Sequence, residues 1–77
     1  MDVNYKRLAY AVIACAIEDL KRALLEWDES KNIYTKQHVL DETRFFYSSQ
    51  FVLYSDGLSL VGSDIVMPLY DSYGFTL

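Results

Sequence analysis

Cysteine, histidine and proline occur once each in this chain of 77 residues, and glycine three times. Cys15 has no second thiol to pair with, which excludes an internal disulfide framework and favours a reducing, intracellular setting. With single copies of Cys15 and His38, no pair of ligands stands at zinc-finger spacing, so no metal site is expected. The scarcity of glycine and proline argues against long loops, and no repeat or low-complexity segment is present. The longest apolar run, Leu8–Ile17, is 10 residues, whereas a membrane-spanning helix needs roughly 20. Lys6 and Arg7 before that run imitate the start of a secretory signal, but Glu18 and Asp19 follow at once. The expectation is a cytoplasmic protein without a signal peptide.

Positive charge is missing from the second half. Residues 1–44 carry seven cations and eight anions, while residues 45–77 carry only Asp56, Asp64 and Asp71. Two thirds of the aromatic residues lie in that cation-free half: Phe45, Phe46, Tyr47, Phe51, Tyr54, Tyr70, Tyr73 and Phe75. The net charge of −4 works against nonspecific nucleic-acid binding.

What is present is helical periodicity in a single small domain, residues 1–77. At 100° per residue, Tyr5, Ala9, Val12, Ile13, Ala16, Leu20, Ala23, Leu24 and Trp27 fall on one stripe of a long first helix. Asp2 or Asn4 is placed to cap its start, Asp2–Lys6 and Glu18–Arg22 to pair on its flank, and Asp28–Asn32 to end it. Its other side is also apolar and mostly small: Leu8, Ala11, Ala14 and Cys15. Two readings compete for that side. The favoured one buries it between two further helices of the same chain, with Cys15 as a small packing residue; the other makes it the seam of a homodimer.

A second helix is expected over 35–47, capped by Thr35 or Asn32, with Lys36, Val39, Leu40, Thr43, Phe46 and Tyr47 at helical spacing. Ser48 or Ser49 can cap a short third helix over 50–54, closed by Gly57; a hairpin around Asp56-Gly57 is the alternative. Leu58–Gly62 reads as an apolar loop packed down on the fold. A last helix capped by Ser63 or Asp64 runs to about Tyr70, with Gly74 beyond its end. Pro68 is tolerable only if it falls in the first turn. The fold class is therefore mainly α: a compact bundle of a long N-terminal helix, a second helix and two short C-terminal helices.

No catalytic constellation is legible. His38 lies among Lys36, Asp41 and Glu42, and the adjacent carboxylates Asp28-Glu29 and Asp41-Glu42 point about 100° apart on a helix, too far to share a proton. A phosphate-binding loop and a nucleophile elbow are both absent from the sequence. A non-enzyme without cofactor is expected. A small DNA-binding regulator is a weaker alternative, because the candidate recognition helix offers Gln50 and no cation. Tyr54, Tyr70 and Tyr73 with Asp56, Asp64 and Asp71 would make an acidic, aromatic contact surface for a protein partner. Leu8, Ala11, Ala14 and Cys15 are the candidates for self-association.

Ala16-Ile-Glu-Asp-Leu-Lys-Arg-Ala-Leu24 followed by Glu42-Thr-Arg-Phe-Phe-Tyr-Ser-Ser-Gln-Phe51 resembles small uncharacterised proteins of phages and prophages in Gram-positive bacteria. These share an E-x-x-FF-x-S-x-x-F core, matched here by Glu42, Phe45, Phe46, Ser48 and Phe51, and a Gly-led final helix, matched by Gly62-Ser-Asp-Ile65. Tyr47 stands where that group often has a cation. The resemblance implies a fold signature: Ser48 as a cap, the phenylalanines as a wedge, and Glu42 paired with a cation on the first helix. It also implies a class of activity, since phage accessory proteins of this size often bind and block a host protein. The expectation is a phage-encoded binding protein acting in the bacterial cytoplasm, an inhibitor of a CRISPR or other defence system or of a host function. A self-assembling helical module is the alternative.

Overall fold

The computed structural model describes residues 3–76, and they form four α-helices and one 3₁₀ turn. Helix α1 (Val3–Glu29) spans the whole molecule: 27 residues at about 1.5 Å each give roughly 40 Å, against a longest dimension of 43 Å. Expected caps and pairs that involve Asp2 lie outside the described residues; Asn4 sits inside α1 rather than at its cap. The connection Ser30–Asn32 is too short for anything but an antiparallel return. Asn32 fixes the turn with a capping box: its side chain accepts from the Tyr34 and Thr35 N–H groups, and Thr35 Oγ1 accepts from the Asn32 N–H at 3.1 Å.

Helix α2 (Ile33–Thr43) is shorter than the sequence pattern implied, because Arg44–Tyr47 tighten into a 3₁₀ turn. A 3₁₀ step advances about 120° per residue instead of 100°. Phe46 therefore turns into the core while Tyr47 swings out, and Lys36 is exposed as well, contrary to the expected inner face. Ser48 then resets the chain. It is extended (φ −91, ψ 163), and its hydroxyl accepts from the Phe51 N–H at 3.3 Å, opening α3 (Ser49–Ser55). The region is helical, so the Asp56-Gly57 hairpin does not form; Gly57 supplies a left-handed residue (φ 79) after the helix. Leu58 and Leu60 of the following loop pack against the core.

Helix α4 (Gly62–Tyr73) starts earlier than expected, and neither Ser63 nor Asp64 caps it; Val61 holds the cap position without a side-chain bond. The reason is contact. Gly62 rests on the backbone of Phe46, where an added Cβ would overlap the Phe46 carbonyl oxygen and come within 2.9 Å of its carbon. The early start puts Pro68 beyond the first turn, where it has no N–H to give to the Asp64 carbonyl. Gly74 (φ 66) closes the helix, its N–H directed at the Asp71 and Tyr70 carbonyls.

The path is thus up α1, back along it through α2, the 3₁₀ turn and α3, and up again through α4. Leu20, Ala23 and Leu24 of α1, Val39 of α2, Phe46, Phe51, and Val66 and Tyr70 of α4 make the core, and Phe75 closes one end with its ring edge-on to Trp27 at 4.9 Å. Phe45, Phe46 and Phe51 meet at ring separations of 5.5 to 5.8 Å, which bears out their reading as a wedge. No helix among the described residues is long and apolar enough to cross a membrane.

Gly62 gives the sharpest test of this packing. In open helix, Gly→Ala would stabilise by roughly 0.5–1 kcal/mol. Here the overlap with Phe46 reverses the sign, and Gly62→Ala should destabilise by about 3 kcal/mol, read as a fall in Tm on the order of 10–20 °C. An unchanged or higher Tm would disprove the close approach.

Candidate functional site

The acidic and aromatic residues expected to form one contact surface do not gather. Asp64 and Asp71 are exposed on α4 and two turns apart, so they share a face with Met67 and Pro68. Asp56 is exposed after α3. Tyr54 is half-buried against Phe45 at a ring separation of 6.5 Å. Tyr73 is half-buried elsewhere, in a shallow depression with Glu18, Lys21, Arg22 and Leu25 of α1.

Tyr70 is a core residue, only 6% exposed, and so is corrected from contact surface to interior. The physical reason is a polar anchor. Thr43 Oγ1 donates to the Val39 carbonyl at 2.7 Å, which uses its one hydrogen; the Tyr70 hydroxyl, 2.6 Å away, therefore donates to Thr43. Burial pushes the Tyr70 phenol up from its ordinary value.

The other set of candidates is more revealing. Leu8 is 56% exposed, and Ala11, Ala14 and Cys15 are exposed too, so no further helix of the chain covers this side of α1. The expectation that Cys15 is a buried packing residue is overturned. The chain has only two return passes, and both lie against the Leu20–Leu24 stripe. Tyr10 is also 56% exposed, on another side of α1, since residues two apart do not share a helix face.

Next to this face the antiparallel passes leave a groove of about 460 Å³, lined by Ala11, Val12, Cys15, Ala16 and Asp19 from α1 and by Glu42 and Phe45. Ala11, Cys15 and Asp19 line one wall because they stand four residues apart on α1; Glu42 and Phe45, three apart, face them. The floor is apolar, and two carboxylates stand at the rim. Asp19 Oδ1 is 3.4 Å from Arg22, and Glu42 Oε1 is 3.4 Å from His38 Nε2. Glu42 thus pairs within its own helix, not with a cation on α1 as expected. His38 bridges the helices instead, its Nδ1 3.0 Å from Glu26. On the α1 flank the pairs are Glu18–Lys21 and Asp19–Arg22, in place of Glu18–Arg22.

Sequence reasoning put Val12 and Ala16 on the inward stripe of the first helix and Phe45 in the phenylalanine wedge, paired Glu42 with a cation on the first helix, and gave Asp19 no part in a site. The spacing of Ala11, Cys15 and Asp19 was a usable signal, but the opposite wall required knowing how α2 returns along α1. Among the described residues no group of three or more His, Cys, Asp or Glu stands together to hold a metal ion. Comparison with known proteins returns no relative: no family model matches the chain, and neither a curated protein nor a solved structure is significantly similar to it.

The Tyr70 anchor yields a pH prediction with a definite sign. Its folded pKa is raised above the unfolded value near 10, so the neutral phenol's contribution is fully present below pH ~10 and is lost as pH rises through the folded pKa. Tyr70→Phe should cost about 1 kcal/mol at neutral pH, yet lose less stability than wild type between neutral pH and alkaline pH. Urea midpoints at neutral pH and above pH ~10 measure both effects; parallel losses in the two proteins would refute the buried phenol.

Proposed function

We propose that this chain works without catalysis, by binding a protein through the groove between α1 and α2 and the uncovered face of α1 beside it. The observation that carries the reading is that Leu8, Ala11 and Cys15, at helical spacing on one face of α1, are exposed, and that Ala11 and Cys15 line a mostly apolar groove. Exposed apolar side chains beside an apolar groove are a mark of a protein-binding surface. The biological setting rests on the resemblance of Glu42–Phe51 to phage and prophage proteins: a phage-encoded accessory protein in the bacterial cytoplasm that inhibits a defence system, such as a CRISPR effector, or another host protein.

A second reading has its own support. Ala11, Ala14 and Cys15 are small, and small residues let two helices approach closely, so the face also suits a second copy in a self-assembling module.

One variant probes both. Ala11 is exposed, so Ala11→Arg should keep the helical circular dichroism and Tm while filling the groove. Tagged wild type should retain one stoichiometric bacterial protein that Ala11→Arg loses by at least roughly tenfold, the signature of a disrupted hot spot. Equal retention by the two proteins would place binding elsewhere. Light scattering decides the second reading, since a strict monomer at high concentration removes it.

A further inference from the structure

We infer that the groove between α1 and α2 takes a lysine or arginine side chain, presented next to an apolar residue on a helix or loop of the partner protein. The inference rests on the protein-binding reading above and adds the chemistry of the bound segment. Every charged residue in the lining is acidic. Asp19 and Glu42 stand in a lining whose other members are Ala11, Val12, Ala16, Phe45 and the Cys15 thiol. Asp19 has Arg22 beside it and Glu42 has His38, each at 3.4 Å, longer than the roughly 2.7–2.9 Å of a strong charge-assisted bond. Both of these contacts use one oxygen of the carboxylate, Asp19 Oδ1 and Glu42 Oε1, and both side chains remain open to solvent.

What covers such a site must answer both parts of it. A purely apolar segment would strip water from two carboxylates and give nothing back, which is costly. An acidic segment or a nucleic-acid phosphate would be repelled. A long basic side chain meets both needs, because its methylene stem lies on apolar surface while its head reaches the rim. A guanidinium can offer parallel N–H groups to a carboxylate, so arginine fits best. A second copy of this chain fits poorly: a two-fold contact groove to groove would bring the acidic lining of one copy against that of the other, with no cation in the lining to separate them.

Cys15 provides the readout, since it is the only cysteine, is exposed, and lies in the lining. The rate at which N-ethylmaleimide alkylates it should fall when the groove is filled. n-Butylguanidinium is the probe, with n-butanol and pentanoate as neutral and anionic counterparts of similar length. Butylguanidinium should slow alkylation saturably, at least threefold, with a midpoint of roughly tens of millimolar for so small a ligand. The two counterparts should not. In Asp19→Asn/Glu42→Gln, whose substituted side chains stay near-isosteric and are not buried, the protection should vanish while helicity is unchanged. A thiol outside the groove, Gln50→Cys in a Cys15→Ser background, should be indifferent to all three probes.

Absence of saturable protection in the wild type overturns the inference. So does equal protection by pentanoate, or protection that survives in the double variant. Protection that grows with protein concentration in the absence of any probe would show that a second copy fills the groove, and overturns it too. The two readings fail separately. If Ala11→Arg abolishes partner retention and butylguanidinium gives no protection, protein binding stands and the basic segment falls. If protection is seen but retention is unaffected by Ala11→Arg, the groove's chemistry stands and its role in binding the retained protein falls.

Discussion

The contact of Gly62 with the backbone of Phe46 is the constraint on which the rest of the packing depends. It brings the start of α4 against the 3₁₀ turn with no side chain between them. From there the helix can direct Val66 and Tyr70, at successive turns, into the same core, and Tyr70 reaches Thr43. Gly74 then reverses the chain so that Phe75 lies edge-on to Trp27. One missing Cβ therefore sets both ends of α4: its first residue by contact, its last by reach. The cost appears in the middle of the helix, where Pro68 is tolerated on an exposed face because the ends are held.

The same economy explains the groove. One long helix is covered by two return passes, and one of those is broken into α2, a 3₁₀ turn and α3. Both serve the stripe that carries Leu20, Ala23 and Leu24. Among the described residues nothing remains to cover Leu8, Ala11 and Cys15. The 3₁₀ turn adds to this, since the rotation that sends Phe46 inward leaves Phe45 half-buried, with one side on the phenylalanine cluster and part of its ring on the groove.

Much of this architecture was legible in the sequence. The stripe of α1, the Asn32 and Ser48 caps, the Phe45, Phe46 and Phe51 wedge and the closing glycine at 74 all depend on local spacing or local hydrogen bonding, which a sequence displays. The expected contact surface was not legible, because burial of tyrosine is a tertiary matter. Tyr54, Tyr70 and Tyr73 look alike in composition, yet Tyr70 has a buried hydroxyl partner 27 residues away and the other two do not share its environment. Cys15 and its neighbours were misjudged for a related reason. Small apolar residues are compatible with close helix packing, but periodicity does not reveal whether a helix is there to pack. Gly62 read as the end of a loop before the last helix, because its role as a contact surface depends on a carbonyl 16 residues earlier.

The length of α1 relative to what covers it also sets how the molecule opens. Its C-terminal half lies between α2 and α4, whereas its first turns are joined to the rest by the Tyr5 hydroxyl donating to the Leu53 carbonyl at 3.0 Å, an exposed bond. Amides near that end exchange through small local openings, and those around Leu20 and Leu24 exchange only when most of the core comes apart. Protection should therefore fall from the Leu20–Leu24 region towards the first turn of α1, past the buried Ala9 and Ile13, and the groove, lined on α1 from Ala11 to Asp19, lies between the two ends. A partner that bridges the two would stiffen the free end of α1 as it binds.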